Sequence, residues 1–283
     1  MSIRAIVMDI DGTLASSRKG ILPKTKSALL KAQAMGIRLI LASGRPTNGL
    51  LRFAQLLDMP AHHGLLVSYN GSRVTDCQTG DILFHQPMSP QEAKAVLEHV
   101  RRFPELHPMV DLGKYMYVPK DAGHFIPFNG KPYPVFFFEA KGNGFRLRRV
   151  KDLNPLINGP VDKILTTASP QYLQTHWQEI AAPFQDSLSC MFTSAFYFEF
   201  TAKGVDKAKA LSAVLPSLGI AREELIAFGD GHNDLSMLQY AGIGVAMENA
   251  VPQLKDAADE VTLSNNADGI AAALLKHIPE LTL

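Results

Sequence analysis

Two aspartates separated by one residue follow an apolar segment near the start of the chain, in Ile3-Arg4-Ala5-Ile6-Val7-Met8-Asp9-Ile10-Asp11-Gly12-Thr13. A short apolar run rich in Val and Ile and ended by Gly is typical of a strand buried on both faces. Carboxylates at the carboxyl end of such a strand lie where open α/β sheets bind ligands. Burying two carboxylates so close together is costly unless a cation or a proton neutralises them. Asp9 and Asp11 therefore indicate a hard metal such as Mg²⁺, acid–base chemistry, or both.

Three more polar segments stand where an apolar segment ends or a helix begins. They are Ser43-Gly44-Arg45-Pro46 after residues 37–42, Lys203-Gly204-Val205-Asp206-Lys207, and Gly229-Asp230-Gly231-His232-Asn233-Asp234 after residues 224–228. Parallel strands bring their carboxyl ends to one edge of a sheet, so these segments are expected to share a crevice with Asp9. Each segment alone is explained by a helix cap, a solvated lysine or a turn. All of them together in one chain favour a shared catalytic site.

The spacing of apolar residues and of helix stops predicts an α/β fold with a doubly wound (Rossmann-like) parallel sheet. Strands are predicted at 3–8, 37–42, 64–69, 224–228, 243–247 and 260–263, and helices at 23–35, 47–57, 203–218, 234–240, 251–258 and 268–277. The middle of the chain, with a helix at 90–103 and pairs of short strands, indicates an inserted α+β domain. Its Pro-, Gly- and aromatic-rich residues 119–144 carry no predicted element. The predicted domains are a core of residues 1–85 and 200–283 and an insertion of residues 86–199.

Composition limits the classes of function. Hydrophobic residues make up 46% of the 283 residues and charged residues 19%, which allows a sizeable core, and the formal net charge is +1. A net charge so close to zero does not indicate a basic surface that would bind nucleic acid. Cys77 and Cys190 are too few for a disulfide framework or a cysteine metal site. Without a signal-peptide pattern or a run of about 18 apolar residues, we expect a cytoplasmic protein that does not span a membrane, as a monomer or small homo-oligomer.

The motifs resemble those of the haloacid dehalogenase superfamily, in its Cof-like branch with a type IIB cap, which includes sugar phosphatases. The matching residues are Asp9-Ile10-Asp11-Gly12-Thr13-Leu14, Ala42-Ser43-Gly44-Arg45-Pro46, Tyr69-Asn70-Gly71, Lys203-Gly204-Val205-Asp206-Lys207 and Gly229-Asp230-Gly231-His232-Asn233-Asp234, in the family's order. The resemblance covers essentially the whole chain and implies that residues 86–199 are a cap domain that reads the leaving group. Cap residues considered for that contact are Lys114, Tyr115, Tyr117, His124 and Arg146, although aromatic residues on strands usually pack.

The resemblance also implies phosphoryl transfer, with Asp9 as the nucleophile that forms an aspartyl-phosphate. Asp11 would protonate the leaving oxygen and then deprotonate the attacking water. The implied cofactor is Mg²⁺, with ligands drawn from Asp9, Asp11 (through its backbone carbonyl), Asp230 and Asp234, although Asp234 could instead orient Lys207 or a water. The implied phosphate and substrate contacts are Ile10, Ser43, Gly44, Arg45, Lys207 and Asn233. His232 stands at a position that varies in the family and has no assigned role.

The leading hypothesis is thus a Mg²⁺-dependent phosphatase acting on a small phosphorylated metabolite: a sugar phosphate, FMN or pyridoxal phosphate. A phosphomutase of the same superfamily is the first alternative, because relatives with this cap type transfer phosphate between sugar positions. A phosphometabolite-binding sensor is the second, although a sensor would not need every catalytic group. A dinucleotide-dependent oxidoreductase and a P-loop ATPase are excluded, since neither of their glycine-rich motifs occurs in the required context.

Overall fold

The computed structural model describes residues 2–18, 20–123, 125–128 and 130–282, so the prediction for His124 lies outside the described residues. The chain divides into two compact units, Met1–His85 with Asp206–Leu283 and Gln86–Val205. The second segment of the first unit begins at Asp206, whereas the sequence predicted that it begins at residue 200. The boundary lies later because a strand of the second unit continues to Ala202. Among the described residues, every helix is too short or too polar to cross a lipid bilayer.

The helices and strands alternate as follows. The chain opens with β1 (Ala5–Met8), α1 (Pro23–Ala34), β2 (Arg38–Ala42), α2 (Thr47–Leu56), β3 (Leu65–Ser68), β4 (Arg73–Asp76) and β5 (Ile82–His85). The second unit contains α3 (Pro90–Val100), β6 (His107–Leu112), β7 (Tyr115–Pro119), β8 (Ile126–Phe128), β9 (Lys131–Tyr133), α4 (Val135–Gly142), β10 (Arg146–Val150), β11 (Lys163–Thr167), α5 (Pro170–Ala181), β12 (Leu188–Ser194) and β13 (Tyr197–Ala202). The first unit ends with α6 (Lys207–Val214), β14 (Leu225–Gly229), α7 (Leu235–Tyr240), β15 (Ile243–Ala246), α8 (Pro252–Ala257), β16 (Glu260–Val261) and α9 (Gly269–His277).

The first unit is built on one sheet with the strand order β16-β15-β14-β1-β2-β3-β4-β5. The strands from β16 to β3 pair in parallel, and β4 and β5 extend the sheet as antiparallel strands. The predicted α/β fold with a doubly wound parallel sheet is confirmed. Because β1 lies between β14 and β2, Asp9, which follows the last residue of β1, lies near the middle of the carboxyl edge of the sheet.

Alternate residues of β1 enter opposite apolar layers, as the period of a strand requires. Ile6 and Met8 pack in the layer that contains α1, α2 and α9, whereas Ala5 and Val7 pack in the layer that contains α6, α7 and α8. All four residues are fully buried. Burial on both faces explains why this segment is continuously apolar and not alternating, which is the pattern from which the strand was predicted.

The second unit has its own sheet, with the strand order β10-β7-β6-β11-β13-β12, and a separate β8–β9 hairpin. One face of the sheet packs on α3 and α5, and the other face carries an apolar cluster that includes α4. Of the cap residues considered from the sequence, Tyr115 lies under a guanidinium, with the Arg148 Cζ atom 3.8 Å from its ring centroid. This contact explains Tyr115 as part of a surface stack on its own unit.

No helix or strand was assigned to residues 119–144 from the sequence, but the structure forms three elements there. These residues contain β8, β9 and α4, and β10 follows directly. Phe136 is buried, but Phe137 and Phe138 are 53% and 46% exposed, so α4 has no continuous apolar stripe to reveal a helix. Pro134 at its N-terminus and Gly142 at its C-terminus were the usable signals for its ends.

Candidate active site

Asp9 stands at the centre of the site, directly after β1. Its N–H donates to the carbonyl of Phe228 at 3.0 Å, which keeps Asp9 in register with β14. The residue is only 6% exposed. An ionised carboxylate at this depth needs a positive partner, because burial in a low-dielectric environment disfavours its charge.

That partner is Lys207, which is 1% exposed. The Lys207 ammonium donates to Asp9 Oδ1 at 2.8 Å and to Asp234 Oδ1 at 2.6 Å. Lys207 is the first residue of α6, and Asp206 caps this helix by accepting the N–H of Lys209 at 3.0 Å. Burial lowers the pKa of Lys207, but the carboxylates of Asp234 and Asp9 outweigh burial and hold it above its usual value. Lys207 is therefore a permanent cation between two carboxylates.

Asp230 reaches the same cluster from the loop after β14. Thr13 Oγ1 donates to Asp230 Oδ1 at 2.6 Å. Gly12 has a φ of +92°, and a Cβ atom there would lie 2.2 Å from Asp230 Oδ2. Only glycine permits both this backbone conformation and this close approach. The Gly12-Thr13 turn therefore fixes the position of the Asp230 carboxylate.

Three carboxylates, those of Asp9, Asp230 and Asp234, bring one oxygen each to within 4.8 Å of one another. Burial raises the pKa of Asp9 to about 8, although the nearby charge of Lys207 lowers it. Burial also raises the pKa of Asp230 to about 6, although the hydrogen bond from Thr13 lowers it. A single lysine thus leaves the cluster short of positive charge. Closely spaced buried carboxylate oxygens are the donor set of a hard divalent cation, so these residues fit Mg²⁺.

Asp234 has both carboxylate oxygens engaged with N–H donors. Oδ2 accepts the backbone N–H groups of Asp230 and Gly231, at 3.0 and 2.9 Å, and Oδ1 accepts from Lys207. Asp234 therefore holds the loop that carries Asp230 and orients the Lys207 ammonium. This arrangement favours the orienting role for Asp234 over direct metal ligation.

Asp11 turns its carboxylate away from this cluster and towards Arg45. The Arg45 guanidinium donates from Nε to Asp11 Oδ2 at 2.5 Å and from Nη2 to Asp11 Oδ1 at 2.7 Å. The Asp11 side chain is 60% exposed, whereas that of Arg45 is 24% exposed. Both oxygens of Asp11 therefore accept from Arg45, and the acid–base role implied for Asp11 stays a prediction.

Ser43 and Gly44 follow β2, next to Asp9 in the sheet. Ser43 is 3% exposed, and its Oγ accepts the N–H of Arg45 at 3.3 Å. The Ile10 side chain is fully buried in the apolar layer with α1, so a contact to substrate can come only from its backbone. The phosphate contacts implied for Ile10, Ser43 and Gly44 stay predictions, and the structure places all three at the carboxyl edge beside Asp9.

The loop after β14 borders the site on the side of Asp9 opposite to Ser43. Asn233 and His232 in this loop are both exposed. Asn233 Nδ2 donates to Asn70 Oδ1 at 3.0 Å. Asn70 and Thr13 are the site residues that the sequence reasoning did not assign. Asn70 lies in the quoted Tyr69-Asn70-Gly71 motif, and Thr13 was noted beside Asp11, so position in a motif was the available signal for both.

Removing the Thr13 hydroxyl should weaken divalent cation binding. In Thr13→Val the Asp230 carboxylate loses a donor to its charged form, and we expect about 10-fold weaker Mg²⁺ or Mn²⁺ affinity, as for other residues that orient metal ligands. Isothermal titration calorimetry of the purified protein measures this. Thr13→Ser keeps the hydroxyl and should bind within about 2-fold of the wild-type protein; equal weakening in both variants would contradict the argument.

Comparison with known proteins is consistent with this geometry. A family model described as haloacid dehalogenase-like hydrolase matches residues 6–274. The chain is 28% identical to the pyridoxal phosphate phosphatase YbhA of Escherichia coli (strain K12), over 98% of this chain and 100% of that protein. A solved haloacid dehalogenase-like hydrolase of Bacteroides thetaiotaomicron has a TM-score of 0.88 at 33% identity, covering 97% of this chain and 99% of its own. A solved subclass IIB sugar phosphatase has a TM-score of 0.78 at 25% identity, covering 98% and 99%.

Proposed function

This chain belongs to the haloacid dehalogenase-like hydrolases, and relatives of it are named phosphatases. From that premise we propose that it is a Mg²⁺-dependent phosphatase that acts through an aspartyl-phosphate at Asp9. The observation that carries the proposal is the buried Asp9 carboxylate, held by Lys207 at 2.8 Å beside Asp230 and next to the Ser43 loop. A purely structural ion pair would not require Asp234 on the same lysine and a third carboxylate, Asp230, in the same cluster.

The proposed reaction has two steps. An oxygen of the Asp9 carboxylate attacks phosphorus, the bond from phosphorus to the leaving oxygen breaks, and Asp11 gives its proton to that oxygen. Asp11 then takes a proton from the water that attacks the aspartyl-phosphate, which releases inorganic phosphate and restores Asp9. Lys207 reduces the repulsion between the Asp9 carboxylate and the phosphate, and Ser43 with the N–H groups of Ile10 and Gly44 holds phosphate oxygens.

Mg²⁺ would be held by Asp9, Asp230 and the backbone carbonyl of Asp11, with Asp234 orienting Lys207. When bound, this ion would offset the negative charge of the phosphate. We take the substrate to be a small phosphorylated metabolite, since the relatives named above are a pyridoxal phosphate phosphatase and a sugar phosphatase. The inserted unit is proposed to distinguish leaving groups, as the resemblance implies.

The test is hydrolysis of p-nitrophenyl phosphate with Mg²⁺ and with EDTA, followed by a panel containing pyridoxal phosphate, FMN and sugar monophosphates. Turnover that needs the metal and favours one panel member supports the proposal. Activity that appears only with a bisphosphate activator would replace it with a phosphomutase. A protein that binds phosphate and Mg²⁺ without any turnover would indicate a sensor.

The raised carboxyl pKa values predict that metal binding depends on pH. Burial raises the pKa of the Asp9 carboxyl to about 8 and that of Asp230 to about 6, so this cluster keeps a share of a proton in the metal-free protein at pH values where an exposed aspartate is ionised. A cation must displace the remaining proton, so affinity should rise at least about 10-fold from pH 6 to pH 8, with release of about one proton per ion near pH 7. Calorimetry in buffers of different ionisation enthalpy counts these protons. An affinity that stays constant across this range would refute the prediction.

A further inference from the structure

The turn at Tyr69–Gly71, between β3 and β4, has a costly backbone and no role in the reaction described above. Its three residues all have positive φ: 52° at Tyr69, 57° at Asn70 and 103° at Gly71. Left-handed conformations are uncommon for residues other than glycine, and two in succession are costly enough to require strong surrounding contacts. Such strain concentrates at functional sites, which suggests that the contacts of this turn have a functional role.

On one side, the turn is bonded to the loop that carries Ser43. The N–H of Tyr69 donates to the carbonyl of Arg45 at 2.9 Å, and the N–H of Asn70 donates to the carbonyl of Ser43 at 3.0 Å. A Cβ atom on Gly44 would lie 3.1 Å from both Nδ2 and Oδ1 of Asn70. The Asn70 amide therefore packs directly on Gly44, with its nitrogen and oxygen nearest, and limits how far this loop can move.

On the other side, the same amide contacts the loop after β14. Asn70 Oδ1 accepts from Asn233 Nδ2 at 3.0 Å. In the sheet, β3 and β14 are separated by β1 and β2, so their ends lie roughly 14 Å apart at normal strand spacing. The Asn70–Asn233 contact must therefore cross above the ends of the two strands that lead to Asp9 and Ser43.

The turn also supports the start of α6. A Cβ atom on Gly71 would lie 2.3 Å from the carbonyl oxygen of Asp206 and 3.0 Å from the nitrogen of Lys207. Glycine at this position lets the turn pack directly on the backbone that carries Lys207. One strained turn thus contacts the Ser43 loop, the Asn233 loop and the helix of Lys207.

We propose that Asn70 is a positioning residue for phosphate recognition, whose amide sets the distance between Gly44 and Asn233 on opposite sides of the bound phosphate. Asn70 does not touch the reacting atoms in this proposal. It acts through Asn233, which it orients, and through Gly44, against which it packs. The proposal rests on the proposed function, because it assumes that a phosphate binds between these loops.

The experiment separates the side chain of Asn70 from its backbone. Asn70→Gly removes the amide but keeps a residue for which positive φ is not strained. Asp58→Gly is the matched control, because Asp58 is exposed, has a φ of 53° and lies outside the site. Inorganic phosphate is the probe, titrated into the Mg²⁺-loaded protein and also used as a competitive inhibitor of p-nitrophenyl phosphate hydrolysis.

We expect Asn70→Gly to weaken phosphate binding about 10-fold and to lower kcat/KM by a similar factor, because misplaced donors lose their alignment. Mg²⁺ affinity and Tm should stay close to those of the wild-type protein and of Asp58→Gly. Combining Asn70→Gly with Asn233→Ala should weaken phosphate binding by less than the product of the two single factors, because the two changes break one shared contact while only Asn70→Gly also removes the packing on Gly44.

Phosphate affinity within about 2-fold of wild type in Asn70→Gly, or independent losses in the double variant, would overturn the proposal. So would a parallel fall in Tm and Mg²⁺ affinity, which would show a purely structural role. If Asn70→Gly does not fold, Asn70→Ser serves in the same cycle with the same criteria. A wild-type protein that binds phosphate but has no hydrolase activity would refute the proposed function. The phosphate affinities of the single and double variants would still test the role of Asn70.

Discussion

Asp9→Asn is expected to reduce phosphatase turnover by at least about 10⁴-fold, since an amide cannot form the aspartyl-phosphate and loss of a nucleophile removes the whole covalent route. The substitution keeps the shape of the side chain, and Lys207 keeps its contact with Asp234 at 2.6 Å. Initial rates with p-nitrophenyl phosphate and saturating Mg²⁺ measure the effect. The control is Asp256→Asn, an exposed carboxylate on α8, which should retain full activity.

The same substitution should stabilise the metal-free protein above neutral pH. Burial raises the pKa of Asp9 from its ordinary 3.8 to about 8, so the folded state binds this proton more tightly than the unfolded state does. Stability from the protonated group is complete below about pH 4 and is lost as the pH rises through 8. The Asp9→Asn variant has no such loss, so its Tm in EDTA should exceed that of the wild-type protein by more at pH 8 than at pH 5. A difference that is constant with pH would contradict the pKa shift.

Lys207→Met should destabilise the protein by about 3–5 kcal/mol, because it leaves buried carboxylates without their cation. We also expect turnover to fall by at least about 10³-fold, since the positive charge that offsets phosphate repulsion is lost. The loss of stability should be larger at pH 8 than at pH 5.5, because protonation of Asp9 and Asp230 at the lower pH removes the repulsion. The contribution of Lys207 itself is complete throughout this range, since its pKa is raised.

Thermal and urea unfolding in EDTA and in excess Mg²⁺ test this prediction. Excess Mg²⁺ should restore part of the stability of Lys207→Met, because it supplies positive charge and binds only the folded protein. The matched control is Lys209→Met, which removes an exposed lysine from the same helix and should change stability by less than about 0.5 kcal/mol. Similar destabilisation in both variants would show that loss of the buried ion pair is not the cause.

The helices and strands of the first unit followed closely from sequence periodicity. The predicted helix at 23–35 corresponds to α1 (Pro23–Ala34), and the predicted strand at 37–42 corresponds to β2 (Arg38–Ala42). The helix predicted at 203–218 is shorter, because α6 begins only at Lys207, after the Asp206 cap. The second unit was predicted less well, since the aromatic residues of α4 are distributed between the core and the surface.

By itself, the sequence determined which side chains could do chemistry and that each would stand at the end of a strand or the start of a helix. These are local properties, because strand burial and helix stops depend on neighbouring residues. Only the tertiary structure decided which of those side chains meet: Lys207 with Asp9, which lie 198 residues apart, and Asp11 with Arg45. It also brought Asn70 to Asn233, which no local pattern could indicate. The physical reason is that strand order and register, set by packing across the whole sheet, fix the distances between residues remote in sequence.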